Sequence, residues 1–219
     1  MKNAELSGFL EFLLAVGRLK RLPRTGWLDR GVPPTETESV ADHSFRVALI
    51  AWLMADEQPE LDRDRVLKLA LVHDLAEAIT GDLTPYETDH LHSIDRNRND
   101  FLNQRHVASP ERSAHKKIAE NAAFMQLTDS LTESLKVELR ELWQEMVAKT
   151  TPESQFVKEV DRIEAYLQST EYLQNDPELP MDSFRLEVEE TLTTPSAIAL
   201  RAAIQINSGQ NETSMGRLK

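Results

Sequence analysis

Apolar residues recur every three to four positions through most of the chain, and Pro and Gly interrupt the rhythm. From Ser7 to Leu22, Leu6, Phe9, Leu10, Leu13, Val16 and Leu19 share one face of a predicted helix, which Pro23 closes. Residues 23–38 carry Gly26, Gly31, Pro33 and Pro34 and read as a loop. A second helix is predicted from Val40 to Asp56; Val40, Val47, Ile50 and Met54 form its apolar stripe, and His43 falls on it. Asp62 is a suitable N-cap for a third, with Val66, Leu69, Ala70 and Leu71 facing inward. His73, Ala76 and Glu77 extend that face, and Gly81 ends the helix. Residues 86–113 are polar with almost no periodicity and read as an insertion or mobile loop, a candidate lid. Helices resume over 114–127, 131–149 and 152–174, the last opened by Thr151 and Pro152. Two shorter helices, 181–191 and 195–206, complete a single domain over 1–206, and the polar tail 207–219 is expected to be disordered.

Composition agrees with an all-α fold: 7 glycines, no strand-forming runs, and an abundance of Ala, Leu, Glu, Arg and Lys. A formal charge of −12 without a basic stripe argues against a nucleic-acid duplex or an anionic membrane as partner. It leaves room for a small phosphorylated ligand, because one cation and one Arg reverse the potential locally. The chain has no cysteine, so a metal here must be held by His and carboxylates. No apolar run reaches the roughly 20 residues of a membrane span, and no signal-peptide pattern opens the chain. A cytoplasmic protein is expected.

The candidate chemistry starts at His73-Asp74, flanked by Ala70, Leu71, Val72 and Leu75. Neighbouring helical side chains diverge by about 100°, so one cation held by both must sit over the edge they share. Glu77 follows His73 by four residues and projects toward the same patch. One helix cannot complete a coordination shell; His43 and Asp161, each beside an apolar seam on another helix, are the remaining candidates. Each has an ordinary reading too: His43 as a hydrogen-bonded core residue, Asp161 as the partner of Lys158 or Arg162. Two His and two Asp in this order make an N₂O₂ set with room for water, suited to Mn, Co, Fe, Zn or Mg.

The ordered set His43, His73-Asp74, Asp161 resembles the HD-domain metal phosphohydrolases, and the surrounding text resembles their 5′-deoxynucleotidase branch. The matching segments are Arg18-Leu19-Lys20, Pro23-Arg24-Thr25-Gly26-Trp27, residues 38–44 around His43, residues 69–77 around His73-Asp74, Gly81-Asp82-Leu83-Thr84-Pro85, residues 156–161, and 167–172. Together they span about residues 8–174. The resemblance implies an all-α HD-domain bundle with its metal site in the core, and removal of the 5′-phosphate from deoxynucleoside monophosphates. Carried over, His43, His73, Asp74 and Asp161 hold a divalent metal and Glu77 is the general acid/base. Asp82 binds a sugar hydroxyl, Arg24 grips the phosphate, and Trp27 packs on sugar or base. A homodimer is the implied assembly.

Two segments depart from the family pattern by their length, residues 32–37 and 86–113. Glu38 and Asp42 read as supporting or capping residues; His90, His92, His106 and His115 receive no role. Two alternatives stay open: an HD-type enzyme acting on a triphosphate, cyclic dinucleotide or alarmone, and a non-catalytic helical binding protein. Against several phosphates, the chain presents one well-placed Arg and no evident basic cluster.

Overall fold

The computed structural model describes residues 3–86, 91 and 97–215, and apart from one isolated β-bridge their regular elements are helical. Helix α1 (Asn3–Val16) runs into a 3₁₀ turn at Gly17–Arg21, and a short α2 (Thr25–Leu28) follows. Next come α3 (Val40–Met54), α4 (Arg63–Val72), the single turn α5 (Glu77–Thr80), α6 (Arg98–Leu102) and α7 (Pro110–Thr128). The chain continues through α8 (Glu133–Ala148), α9 (Pro152–Asn175), α10 (Asp182–Thr191) and α11 (Pro195–Met215). No helix of the described residues is long and apolar enough to cross a membrane.

Side-chain caps fix where the central helices begin, and so which way their side chains point. Ser39 and Asp42 form a reciprocal capping box at the start of α3. Asp62 accepts the Arg65 amide at 3.0 Å to open α4, and Thr151 with Ser154 boxes α9, Pro152 filling its first turn. The three helices pack through Val47, Ala51, Val66, Leu69, Val157 and Val160, all fully buried. Helices α10 and α11 cover the second half of α9 through Ile163, Tyr166, Val188, Ala197 and Ile204. Glu159 fastens that cover: its carboxylate accepts from the amides of Thr193 and Thr194 at 2.9 and 3.0 Å. The bridge pairs Pro23 with Ser39, the Arg24 amide donating to Glu38 O and the Val40 amide to Leu22 O. Residues 24–38 thus leave and return at one point, beside the start of α3.

Four expectations change. The third helix is interrupted: residues 73–76 are turn, and the amides of Leu75, Glu77, Ala78 and Ile79 each donate to the carbonyl three residues back. This tightening redirects Asp74, which an unbroken helix would set about 100° from His73. The apolar stripe of α1 is exposed at Leu6, Phe9, Leu10 and Leu13, and only Val16 and Leu19 join a cluster with Val40 and Ala78. The 86–113 segment is partly ordered, with Tyr86, Leu91 and Leu102 buried together beside α6; residues 87–90 and 92–96 lie outside those described. Helix α11 continues to Met215 rather than ending near 206, and 216–219 lie outside the described residues.

Helix α1 crosses the α7–α8 corner through Gly8, where Ser130 Oγ donates to Gly8 O at 2.9 Å. A Cβ at Gly8 would lie 1.8 Å from the Ser130 carbonyl oxygen, which is backbone and cannot swing away. Gly8→Ala should therefore destabilise the fold by about 1–3 kcal/mol, the usual cost of overpacking, despite alanine's higher helix propensity. A lowered thermal midpoint checks this; an unchanged or raised one would mean that the crossing tolerates a methyl.

Candidate metal centre and the cavities beside it

Both histidines are oriented by what their Nδ1 atoms touch. The His73 Nδ1–H donates to Ala70 O at 2.7 Å, one turn back, which leaves the lone pair on Nε2. That Nε2 is buried and has no hydrogen-bond partner, yet Asp74 Oδ2 stands 3.2 Å away. An acceptor facing a carboxylate oxygen is repulsive unless a positive charge lies between them. His43, fully buried on α3, sets its Nδ1 against Glu164 and turns Nε2 to Asp161 Oδ1 at 3.1 Å. The ligand atoms of His43, His73 and Asp161 all lie within 4.8 Å of one another. Asp74 Oδ2 is 3.7 Å from His43 Nε2. Two imidazole lone pairs and two carboxylates aimed at one point fit a divalent cation.

The surroundings keep the carboxylates charged. Burial works against an ionised Asp74, but His73 and His43 hold its carboxyl below the usual range. Burial works against Asp161 as well, and there Lys158 and His43 outweigh it. The sequence reading of Asp161 as a partner of Lys158 and as a ligand candidate describe the same side chain: Lys158 takes Oδ2 and leaves Oδ1 to the centre. For His43, burial and Arg24 disfavour the charged form, yet hydrogen bonds to Asp161 and Glu164 carry its pKa up to about 10, so a proton and a metal compete for the same Nε2 lone pair. Glu77 goes the other way. Burial, Asp74 and Asp82 push its carboxyl well above the ordinary value, and its Oε2 is buried without a partner.

A cavity of about 300 Å³ opens beside the centre, lined by Arg24, Trp27, Asp74, Glu77, Asp82, Tyr86, Asp161 and Phe184 among others. Arg24 reaches Asp74 Oδ2 at 3.4 Å with one Nη. Asp82 follows Gly81, whose φ of 76° is open to glycine and turns the chain back. One Asp82 oxygen accepts the Thr25 amide at 2.5 Å, joining the Arg24 loop to the ligand-bearing turn. Trp27 shows only 1% of its surface: its indole N–H donates to Glu38 at 2.8 Å and its ring packs on Tyr172 and Phe184. It forms a wall more than an open stacking platform.

The structure gathers all eight predicted residues around this centre and adds others that sequence reasoning missed. Glu164 is fully buried, grips His43 and is itself held by Arg46 at 2.8 Å; its one sequence signal is standing three residues after Asp161. Arg30, also buried, donates to Pro180 O, Gly26 O, Tyr86 Oη, Leu102 O and Ser183 Oγ, stapling the cavity wall together. Asp42 is a capping residue and Glu38 a half-buried support, its carboxyl pushed up to about 7 by desolvation and Glu164. His106 lines the cavity and stacks on Phe101 at 4.0 Å. The expectation of a single well-placed cation fails. On the far side of Asp74 and Glu77, a second cavity of about 450 Å³ collects Arg112, Lys116, Lys117, Lys149 and Lys158. They come from α7, the end of α8, and α9, so no run of sequence displays them as a cluster.

Comparison with known proteins places this geometry. Residues 16–195 match the HD domain family. The 5′-deoxynucleotidase HDDC2 of Bos taurus is 41% identical over 179 residues, covering 81% of this chain and 75% of that protein. The 5′-deoxynucleotidase hdd1 of Schizosaccharomyces pombe is 35% identical, covering 78% and 76%. Among solved structures, a conserved hypothetical protein from Pyrococcus furiosus superposes with a TM-score of 0.65 at 29% identity, over 90% of this chain and 98% of that one. A predicted metal-dependent phosphohydrolase from Magnetospirillum magnetotacticum shares the fold, with a TM-score of 0.64 at 19% identity over 95% of each chain. Matched over most of its length by the family and by these relatives, the chain belongs to the HD-domain family of metal-dependent phosphohydrolases.

Proposed function

We propose that this enzyme is a 5′-deoxynucleotidase, removing the 5′-phosphate from deoxynucleoside 5′-monophosphates. One observation carries the reading: His43, His73 and Asp161 converge, with Asp74 against both imidazoles, where Arg24, Glu77 and Asp82 also face a cavity of about 300 Å³. The names of the similar proteins support the substrate class. His43, His73, Asp74 and Asp161 would hold the cation, with Glu164 and Ala70 O fixing the two imidazoles. When bound, the cation supplies Lewis acidity, lowering the pKa of water and drawing charge from the phosphoryl oxygens. Mn, Co, Fe, Zn and Mg all suit the donor set.

The chain's own residues supply the rest. Glu77, unpartnered and with a raised pKa, takes the proton of the attacking water and returns it to the departing 5′-oxygen. Arg24 stays cationic because Asp82, Asp74, Glu77 and Asp161 outweigh its burial, and its planar fork faces the phosphate. Asp82 accepts a hydrogen bond from a sugar hydroxyl, and Trp27 backs the cavity wall. The basic second cavity favours one further reading, a nucleotide with additional phosphates, on the same centre. Homodimerisation belongs to the proposal too. Phe45, Leu49, Trp52 and Leu53 form an exposed stripe at helical spacing on α3, and α1 adds Leu6, Leu10, Leu13 and Leu14.

The ligand set is tested by His73→Ala and Asp161→Ala, which should lose metal and turnover together. Elemental analysis after dialysis reads this directly, and wild-type metal content in either variant would remove that residue from the set. Glu77→Gln keeps the shape but cannot take a proton. It should retain metal and bind deoxynucleoside monophosphate while kcat falls by about 10²–10⁴; loss of metal would make Glu77 a ligand, and full turnover would place the proton elsewhere. Asp82→Asn is a sharper probe of sugar reading than Asp82→Ala, because it preserves an acceptor for the Thr25 amide. Because deoxyribose has no hydroxyl that ribose lacks, Asp82 can act on selectivity only by fixing the sugar's position, and loosening that hold should narrow the preference for deoxyribo- over ribonucleotides by up to roughly tenfold. Equal losses in kcat/KM on both sugars would exclude Asp82 from selectivity.

A further inference from the structure

The second cavity has the larger excess of cations: the first sets six cations against five carboxylates, the second five against three. The chain carries a formal charge of −12, yet this cavity of about 450 Å³ brings together four lysines and an arginine. Apart from Asp74 and Glu77 at its inner end, Glu120 is the carboxylate on its lining. Some of the cations are engaged: Lys158 with Asp161, Lys116 with Leu83 O at 3.0 Å and Glu120 at 3.4 Å, Arg112 with the carbonyls of Thr84 and Tyr86. Lys117 and Lys149 make no ion pair among the described residues.

Lys149 has a second peculiarity. It ends α8 with φ 53° and ψ 39°, and no other non-glycine residue described has a positive φ. Glycine is the usual residue in this conformation after a helix, and a side chain there costs on the order of 1–2 kcal/mol. A lysine at this point therefore opposes backbone preference, and its side chain lies on the cavity lining. Although the side chain is exposed, desolvation together with Lys158 and Arg162 holds its ammonium below lysine's ordinary value. Cations pressed together in this way are relieved by an anion.

We propose that the second cavity is a phosphate subsite, placed across the metal centre from the nucleoside cavity, with Lys149 and Lys117 as its uncommitted cations. The two cavities share Asp74, Glu77, Lys116, Lys158 and the Leu83–Pro85 segment, so they meet at the centre. With a nucleoside in the first, whatever lies beyond the reacting phosphorus enters the second. Two sources fit that position: orthophosphate after its bond to the 5′-oxygen is broken, or the distal phosphates of a longer nucleotide. That the anion is a phosphate rests on the phosphatase reading; that the cavity attracts an anion does not.

Calorimetric titration of orthophosphate and of pyrophosphate into the metal-loaded protein tests this without turnover. Wild type is compared with Lys149→Gln, Lys117→Gln and, as a control for net charge, Lys20→Gln, whose residue lines neither cavity. Gln removes the charge, keeps an unbranched polar side chain and leaves the backbone conformation at 149 to a non-glycine residue. The orthophosphate Kd should rise about five- to tenfold in Lys149→Gln, with a smaller rise in Lys117→Gln, and metal content by elemental analysis should stay at the wild-type level. An unchanged Kd in both, or an equal rise in Lys20→Gln, would overturn the subsite. If pyrophosphate loses more affinity than orthophosphate, the occupant is the distal part of a longer nucleotide; equal losses identify the released product. Because the readout is binding, the two proposals fail separately. A protein that shows these shifts but releases no phosphate from deoxynucleoside monophosphates sinks the substrate reading alone.

Discussion

Two imidazole lone pairs and the carboxylates of Asp74 and Asp161 meet where the packing of α3, α4 and α9 excludes most water. Such a group is unstable by itself, because buried acceptors facing one another repel and each has lost its hydration. Much of the architecture follows from managing that repulsion. Lys158 neutralises one side of Asp161, Arg24 approaches Asp74, and Glu164 with Arg46 forms a charged brace behind His43. The position of least repulsion left among them is the point at which the lone pairs converge. A cation at that point would relieve the repulsion, and so would stabilise the fold as well as serve the chemistry.

The same balance explains the contrast between Glu77 and its neighbours. Asp74 and Asp161 each have a cation or imidazole within reach and remain ionised, whereas Glu77 faces Asp74 and Asp82 and is pushed toward its neutral form. Carboxylates a few ångströms apart acquire different chemistry from their partners alone, and different partners suit them to holding a metal or moving a proton.

The parts legible in the sequence were those carried by periodicity and by ordered motifs. Apolar spacing located the long helices, and the order His43, His73-Asp74, Asp161 identified the family on three separate elements. Helical periodicity misplaced the geometry at 73–76, because Val72, Leu75 and Ala76 continue the apolar pattern while the backbone tightens into successive turns. Nothing in hydrophobic rhythm distinguishes those two backbones. Glu164 was missed because a carboxylate on a long amphipathic helix ordinarily faces water; only the arrival of His43 from α3 makes it a buried partner. The basic cavity was invisible for a related reason, its cations being spread from residue 112 to residue 158 and joined only by the packing of α7, α8 and α9. The exposed stripes on α1 and α3 show a further limit, since an apolar face predicts burial without saying by what.

The bridge between Pro23 and Ser39 has a consequence for how this fold can diverge. It pins both ends of the Arg24 loop to the foot of α3, so the intervening residues form a closed circuit whose length does not set the position of either end. Closing a longer loop costs little extra entropy, about 0.6 kcal/mol for each doubling. Residues 32–37, which lengthen this circuit, fold back on themselves through the Pro33 carbonyl. Insertions can therefore accumulate there while Arg24 and His43 keep their separation. The exposed residues 33–35 are the part of this surface free to drift, because Val32 packs in the cluster of Trp27 and Glu36 O accepts from Tyr172.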